Sequence, residues 1–342
     1  MKLLIVTQTI DTQDPILGFF VRWVEEFAKN CEGVHVLALN VGSYTLPDNV
    51  FVHSLGKSEG QPKIVWLWRL LALSFTLRHH YDATFVHMNP IHMAYAGLLW
   101  RLLGKRNGLW YTHPSVDTKL RLATLFTHVV YTGSASSFNI KTKKKNVMGQ
   151  GVDPAFLTFK SRLNVEKPNL IVVGRISPIK HVENAIDTLA LIVPEIDATL
   201  TVVGGPMSSD DEIYLDSLKE RALEKGITDR IIWKGALPAN EMQKVLAEGD
   251  IFIHTSLTHS ADKTLPEAMS TGLFVVSSNR AYEADLPTIC FHAPEPSLYA
   301  EAIKEFLSMN HDDQEELRAG LRKCVEEKHS LASLVKRILA LY

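Results

Sequence analysis

The segment LIVVGRISPIK, residues 170–180, has the pattern of a buried strand that ends at a glycine turn. Residues 182–189 follow it with apolar side chains at the spacing of one helix face. A buried strand joined by a short turn to an amphipathic helix is the repeating unit of parallel α/β sheets. The segment therefore predicts an α/β domain in this part of the chain.

Strand-like runs alternate with amphipathic stretches on both sides of this segment. In the first half of the chain the runs cover residues 2–7, 34–39, 83–87, 109–112 and 128–132. In the second half they cover residues 169–173, 199–203, 230–233, 250–254 and 274–277. Two series of this kind predict two Rossmann-like α/β domains, each built on a parallel sheet.

The break between the two series lies at residues 140–167, where the lysine run at 141–145 precedes a polar segment. We expect an N-terminal domain at residues 1–150 and a C-terminal domain at residues 151–328. Residues 329–342 carry apolar side chains at helical spacing. They predict a final helix that packs back on the N-terminal domain.

The composition is that of a folded soluble protein, with 342 residues of which 46% are hydrophobic and 22% charged. A net charge of −2 provides no overall field for nucleic acid, so we expect no nucleic-acid partner. Three widely separated cysteines suit a reducing compartment, and we expect a cytoplasmic protein. The most apolar stretch, residues 64–77, contains Arg69 and is too short to span a membrane. That stretch and the lysine run leave peripheral contact with the inner face of the membrane open as an alternative.

Two cations stand at the end of the strand in the opening segment. Ser177 and Pro178 have the residue types of an N-cap and a first helical residue. Lys180 would then lie in the first helical turn, where the helix dipole disfavours a cation. An anion held by Arg175, Lys180 and the free amides would reverse that cost, and a diphosphate is the obvious candidate. The alternative is that Lys180 extends into water and Arg175 pairs with a surface carboxylate.

The stretch HSADKTLPEAM, residues 259–269, predicts a second helix start after a strand. Thr264 and Glu267 have the spacing of a capping box, which is a structural explanation for this glutamate. Lys263 again places a cation beside a helix N-terminus. Because open α/β sheets bind ligands at the carboxyl ends of their strands, we expect both loops to meet one anionic ligand.

Five motifs spread over the C-terminal half, in order and spacing, resemble those of retaining glycosyltransferase family 4. They are Gly174-Arg175-x4-Lys180, the turn at 203–206, the strand and loop at 232–238, the helix start at 266–272, and the segment at 151–156. The resemblance implies the GT-B fold, in which two Rossmann-like domains with parallel sheets face an interdomain cleft. It also implies a retaining glycosyltransferase that moves a sugar from a nucleotide-sugar donor to a glycan or lipid-linked acceptor, with the donor in the C-terminal domain.

The resemblance further implies roles for individual residues. Arg175 and Lys180 would neutralise the leaving diphosphate, Glu267 would accept hydrogen bonds from the ribose, and His113 would lie near the transferred sugar. The catalytic set is therefore His113, Arg175, Lys180 and Glu267. The donor-binding set is Gly18, Gly174, Gly205, Pro206, Leu237, His259, Asp262, Lys263 and Thr264.

One position departs from the family pattern. His259 stands where the Glu-x7-Glu pattern would place its first glutamate. Either Asp262 takes that role from a rearranged loop, or the sugar is recognised in another way. Because the sequence has no Asp-x-Asp triplet and no clustered His and Asp set, we expect neither a metal nor a cofactor. The acidic run at 210–212 is interpreted as the first turn of a helix.

Two other functions remain under consideration. One is a non-catalytic protein of the same fold that binds a nucleotide-sugar or a partner, because His259 removes one of the family's usual carboxylates. Turnover of a sugar donor separates that protein from an enzyme. A nicotinamide-dependent oxidoreductase would require G-x-G-x-x-G directly after a strand. The single G-x-G, residues 149–151, is followed by Pro154 and by no close helix, which argues against that alternative.

Overall fold

The computed structural model describes residues 1–162, 166–257 and 260–342, which form two compact units. The first unit, here the N-terminal domain, consists of Met1–Gly151 together with Leu331–Tyr342. The second, the C-terminal domain, is Val152–Ser330. Among the described residues, none of the helices combines the length and the apolar composition that a membrane-spanning segment requires.

The N-terminal domain is built on a seven-stranded parallel sheet with the order β3-β2-β1-β4-β5-β6-β7. Its strands are β1 (Lys2–Ile10), β2 (Gly33–Val41), β3 (Val50–Ser54), β4 (Ala83–His87), β5 (Arg106–Trp110), β6 (Val129–Thr132) and β7 (Lys145–Val147). The connecting helices are α1 (Phe20–Asn30), α2 (Lys63–Thr76), α3 (Pro90–Leu102) and α4 (Thr118–Phe126). Helices α2, α3 and α4 share one apolar core with the sheet, and α1 contributes to a second core.

The C-terminal domain is built on a five-stranded parallel sheet with the order β10-β9-β8-β11-β12. Its strands are β8 (Asn169–Val173), β9 (Thr199–Val203), β10 (Ile231–Gly235), β11 (Ile251–His254) and β12 (Phe274–Ser277). The helices are α5 (Glu183–Ile192), α6 (Ser209–Glu224), α7 (Ala239–Glu248), α8 (Thr264–Ser270), α9 (Pro296–Ser308) and α10 (His311–Lys328). One continuous core of aliphatic and aromatic side chains fills this domain.

The last helix, α11 (Leu331–Leu339), belongs to the N-terminal domain. Its buried residues Leu331, Leu334, Val335 and Ile338 join the same core as α1. The hydroxyl of Tyr342 donates to the carbonyl oxygen of Thr84 at 2.7 Å, which ties the end of the chain to β4. Helix α11 therefore covers the face of the sheet opposite to α2, α3 and α4.

The prediction of two α/β domains with parallel sheets is confirmed, and every strand-like run of the sequence corresponds to an observed strand. Two edge strands, β3 and β7, were missing from the prediction. Strand β7 is only KNV and lies inside the segment 140–167 that was interpreted as a linker, because it lacks the apolar alternation that signals a strand. The acidic run at 210–212 does form the first turn of α6, where Ser208 Oγ accepts from the Asp211 amide at 3.2 Å.

Candidate active site

Three loops meet at the carboxyl edge of the C-terminal sheet, after β8, β9 and β10. The Gly204 amide donates to the Gly235 carbonyl at 2.8 Å, and the Ile176 amide donates to the Gly205 carbonyl at 3.1 Å. Gly204 has a φ of +142°, and a Cβ placed on it would lie 1.8 Å from the carbonyl oxygen of Gly174. A glycine is therefore required at position 204, because the loops approach each other backbone to backbone there.

Replacing Gly204 tests this packing. Gly204→Ala is expected to lower the free energy of unfolding by about 2–4 kcal/mol, because the added methyl clashes with backbone and the φ is strained for any L side chain. Gly320→Ala is the matched control, since a Cβ at Gly320 of α10 enters open space and alanine favours helix. Urea unfolding of the full chain measures both. A Gly204→Ala protein as stable as the control would contradict the close approach.

The chain after β8 forms a 3-10 turn, Pro178–Lys180, before α5 begins at Glu183. The prediction that Ser177 and Pro178 open the α-helix is therefore wrong. His181 adopts a left-handed conformation with φ +49° that separates the turn from α5, and the Lys180 carbonyl accepts from Thr255 Oγ1 at 2.5 Å. Because Lys180 belongs to this separate turn and not to the first turn of α5, the dipole argument for an anion at Lys180 no longer applies.

Lys180 is instead held by a carboxylate from a distant part of the chain. Its Nζ lies 2.6 Å from Asp262 Oδ2, and the two side chains are 21% and 17% exposed. Nζ also donates to Ser256 Oγ at 3.4 Å. Burial opposes ionisation of Asp262, but Lys180 and His254 outweigh it and hold the pKa of this carboxyl well below its usual range. Lys180 is therefore one half of an ion pair rather than an unneutralised cation.

His254, the last residue of β11, lies beneath this ion pair and was missed by the sequence analysis. It is 2% exposed, its Nδ1 lies 3.0 Å from Ser277 Oγ, and its Nε2 is 3.9 Å from Asp262 Oδ2. Within the described part of the chain this Nε2 has no hydrogen-bond partner. The available signal was the polar triplet His254-Thr255-Ser256 at the end of an apolar strand. A small pocket opens here, lined among others by Gly174, Lys180, His254, Thr255 and Ser256.

The segment around α8 is organised differently from the predicted capping box. Thr264 is the first residue of α8, and its hydroxyl donates to Asp262 Oδ1 at 3.0 Å. Glu267 Oε1 accepts from Lys263 Nζ at 2.7 Å, one turn earlier. The capping-box interpretation is therefore wrong, because the Thr264 hydroxyl donates to Asp262 and Glu267 accepts from the ammonium group of Lys263.

Arg175 follows β8 at the same carboxyl edge of the sheet. Its side chain is exposed, and its Nε donates to Ser177 Oγ at 3.3 Å. Pro206 and Leu237, which follow β9 and β10, are half-buried at this end of the sheet. The alternative in which Lys180 extends into water is ruled out by the contact with Asp262, whereas the guanidinium of Arg175 keeps a solvent-facing position.

The remaining candidates lie in the N-terminal domain or outside the described ranges. Gly18 closes a turn in which its amide donates to the Asp14 carbonyl at 3.0 Å, and a Cβ there would lie 2.6 Å from that oxygen. His113 follows β5, is exposed, and its Nδ1 accepts from the Ser115 amide at 3.1 Å. His259 lies outside the described residues. Within those residues no group of three or more His, Cys, Asp and Glu side chains is arranged to hold a metal ion.

The family comparison supports the assignment made from the motifs. Residues 167–309 match the family model described as "Glycosyl transferases group 1". The human GDP-Man:Man(3)GlcNAc(2)-PP-Dol alpha-1,2-mannosyltransferase is 23% identical over 171 residues, which cover 46% of this chain and 34% of that protein. The sulfoquinovosyl transferase of Arabidopsis thaliana is 23% identical over 219 residues, which cover 61% of this chain and 39% of that protein. The chain thus spans little more than a third of the length of these curated relatives.

Solved structures resemble the whole chain. The Anabaena protein HepE in complex with UDP has a TM-score of 0.78 at 16% identity, covering 99% of both chains. Further structures of HepE hold UDP with glucose and UDP-glucose. At this identity the likeness shows the fold, and the fold is GT-B. The segment that matches the group 1 glycosyltransferase model contains Arg175, Lys180, Asp262 and Glu267.

Proposed function

We propose that this protein transfers a sugar from a nucleotide-sugar donor to a glycan or lipid-linked acceptor, and that it belongs to the retaining family 4. The proposal starts from the match of residues 167–309 to the group 1 glycosyltransferase model. The observation that carries the proposal is the cluster of Arg175, Lys180 and Asp262 at the carboxyl edge of the C-terminal sheet. This is the edge at which open α/β sheets bind ligands, and it lies inside the matched segment 167–309.

The donor diphosphate is assigned to Arg175 and Lys180. Arg175 presents a solvent-facing guanidinium, which binds phosphate in two-pronged geometry, and Lys180 presents a point charge. Gly174 and Gly205 allow the diphosphate to approach the backbone closely, Pro206 and Leu237 border the base, and Glu267 accepts from the ribose hydroxyls. The structures of HepE with UDP and UDP-glucose support a nucleoside diphosphate sugar as the donor class.

The ion pair between Lys180 and Asp262 has a consequence for donor binding. A diphosphate competes with Asp262 for Lys180, because both are anions that need the same ammonium group. Asp262 then keeps its hydrogen bond from Thr264 and turns its other oxygen to the sugar hydroxyls. In this arrangement Asp262 supplies the carboxylate that His259 does not, and His254 supports it from below.

The reaction is proposed to proceed with retention on one face of the sugar, without a metal, in the cytoplasm. The leaving diphosphate helps to deprotonate the acceptor, so a second carboxylate nucleophile is not required. His113 and Gly18 are proposed to serve the acceptor side and the donor phosphates, respectively. The acceptor class follows the human relative, whose name places its acceptor on a dolichol diphosphate, and we assign peripheral membrane contact to this protein for the same reason.

A thermal-shift panel of UDP, GDP, ADP and their sugar conjugates tests the donor site. At a ligand concentration of about 100 times Kd, binding adds about 2.7 kcal/mol, which raises the melting temperature by roughly 5–10 °C. The shift is expected with one nucleotide family, is lost in Arg175→Ala, and is kept in Arg230→Ala. Arg230 precedes β10 at the opposite edge of the sheet and pairs with Asp197, so it is a matched control.

The panel tests the donor site, and an assay of transfer and hydrolysis with the donors that bind separates the enzyme from a non-catalytic relative. The absence of a shift with every nucleotide, in folded protein, would overturn the donor site. The non-catalytic alternative, which rests on His259, would be favoured by a protein that binds a nucleotide-sugar but neither transfers the sugar nor slowly hydrolyses any donor.

A further inference from the structure

The outer surface of α2, α3 and α4 is unusually apolar for an exposed layer. Of the eighteen large hydrophobic side chains exposed in the described ranges, eight lie on these three helices. The most exposed are Leu102 at 78%, Ile64 at 72% and Trp68 at 67%. The full set on these helices is Ile64, Trp68, Phe75, Tyr95, Leu98, Leu102, Leu122 and Leu125. Contiguous exposed apolar surface marks an interaction site.

These residues share one surface because the three helices form one layer. Leu70 of α2, Trp100 of α3 and Leu120 of α4 are fully buried in the core that the layer shares with the sheet. In α2 the buried Leu67 and Leu70 alternate with the exposed Ile64 and Trp68. The inner face of each helix is therefore satisfied by the sheet, and the apolar residues of the outer face have no role in that core.

The charge of this region is strongly one-sided. Residues 61–151 contain twelve lysine and arginine residues but only two acidic residues, Asp82 and Asp117, although the whole chain has a net charge of −2. Both aspartates are engaged: Asp82 Oδ2 accepts from the Lys2 amide at 2.7 Å, and Asp117 Oδ1 accepts from the Leu120 amide at 2.7 Å. The helices α2, α3 and α4 themselves contain no acidic residue.

Exposed cations lie on the same three helices and in the lysine run before β7. Lys63, Arg101, Lys119 and Arg121 are exposed on the three helices, and Lys141 and Lys143 are exposed in the lysine run before β7. None of these six forms a salt bridge with a carboxylate anywhere in the described ranges. Arg78 adds a guanidinium 4.3 Å from the centre of the Phe75 ring at the end of α2. Apolar side chains together with cations that have no carboxylate partner are complementary to a partner with an apolar interior and an anionic surface.

We propose that the outer surface of α2, α3 and α4 binds the surface of an anionic lipid bilayer. Trp68, Ile64 and Leu102 insert at the level of the headgroups, and the cations contact lipid phosphates and acidic headgroups. A second copy of this chain would bring like charges together, and a nucleic acid would not bury these leucines and tryptophan. This inference deepens the proposed function by placing a lipid-linked acceptor beside the N-terminal domain. It rests on residues of that domain alone.

Vesicle flotation of the full chain tests the proposal. The protein is expected to float with vesicles of phosphatidylcholine mixed with phosphatidylglycerol, and to bind vesicles of phosphatidylcholine alone much more weakly. The double variant Trp68→Glu/Leu102→Glu is expected to reduce the partition coefficient by about tenfold or more. Arg121→Ala is expected to reduce it by about fivefold, and this smaller loss disappears at high salt.

Leu223→Glu is the matched control, because Leu223 is 71% exposed on α6 of the C-terminal domain and is expected to leave flotation unchanged. Equal binding to both kinds of vesicle, or equal loss in Leu223→Glu, would overturn the proposal. So would a dimer in sedimentation that Trp68→Glu/Leu102→Glu dissociates without any vesicle binding by the wild type. The donor thermal shift is measured on the same variants: a kept shift with lost flotation separates this surface from the donor site.

Discussion

Lys180→Met is expected to lower the melting temperature of the protein by about 5–15 °C at neutral pH. The substitution keeps the aliphatic stem but leaves Asp262 charged, 17% exposed and without its cation. Removing one partner of a largely buried ion pair costs about 2–4 kcal/mol here, at the lower end of the range for such pairs because both side chains retain some exposure. Thermal unfolding of the full chain, followed by circular dichroism, measures the effect.

Two further variants assign this loss to the unpaired carboxylate. Lys180→Met/Asp262→Asn is expected to regain most of the stability, because asparagine removes the charge and still offers an oxygen to Thr264. Lys304→Met is the matched control, because Lys304 pairs with Glu195 at the same distance of 2.6 Å but the Glu195 side chain is 65% exposed, and exposed pairs contribute only about 0.2–1 kcal/mol. A Lys180→Met protein with the same melting temperature as the wild type would show that the charge of Asp262 does not need Lys180 for its stabilisation.

The same ion pair predicts a pH dependence. The pKa of Asp262 is well below its ordinary value of 3.8, because Lys180 and His254 outweigh the effect of its burial. A lowered pKa contributes stability that is fully present above the ordinary value and is lost as the pH falls through the lowered one. In acid titrations the stability difference between the wild type and Asp262→Asn is therefore constant at neutral pH and shrinks only below about pH 4.

Local sequence patterns were sufficient for the domain architecture. Runs such as 169–173 and 199–203 are continuous and β-branched, which is what a strand buried on both faces of a parallel sheet requires. The glycines at the strand ends and the acidic turn of α6 are also local signals, since they depend on the conformation of neighbouring residues. These features were predicted because sequence neighbours determine them.

The contacts within the candidate site could not be predicted in the same way. Lys180 and Asp262 are 82 residues apart, and only the pairing of β8 with β11 brings their loops together. That contact changes the local geometry as well: Thr255 binds the Lys180 carbonyl, and the expected helix start becomes a separate turn. The side chains of a capping box are also engaged elsewhere: Glu267 accepts from Lys263, and the Thr264 hydroxyl donates to Asp262.

In the apolar stretch at 64–77 the same residue pattern supplies both the buried face and the exposed face of α2. Leucine and tryptophan at helical spacing predict a buried face, and Leu67 and Leu70 are indeed buried. The same helix exposes Ile64 and Trp68, so its apolar residues nearly encircle it. Sequence alone cannot apportion such residues between core and surface, because the assignment depends on which side of the helix meets the sheet.

Arg175→Ala is expected to lower kcat/KM for the donor identified in the thermal-shift panel by about 10²–10³-fold. A preorganised cation that meets charge developing on the leaving diphosphate contributes about 2.7–4 kcal/mol to the transition state in comparable sites. The substitution leaves the fold intact, because the Arg175 side chain is exposed and its bond to Ser177 is long at 3.3 Å. Arg230→Ala is the matched control and is expected to keep full activity, since Arg230 pairs with Asp197 at the opposite edge of the sheet.

The division of this loss between kcat and KM tests the role of Arg175 more sharply than its size. A guanidinium that binds the diphosphate equally in the ground state and the transition state would change KM alone. A guanidinium that meets the charge formed as the sugar leaves lowers kcat, and the diphosphate product then binds the wild type more tightly than the intact donor does. We expect the second pattern, because Lys180 is already engaged by Asp262 in the free protein, which leaves the solvent-facing Arg175 as the cation that responds first to the new charge. A change confined to KM would contradict this role and would assign Arg175 to donor binding only.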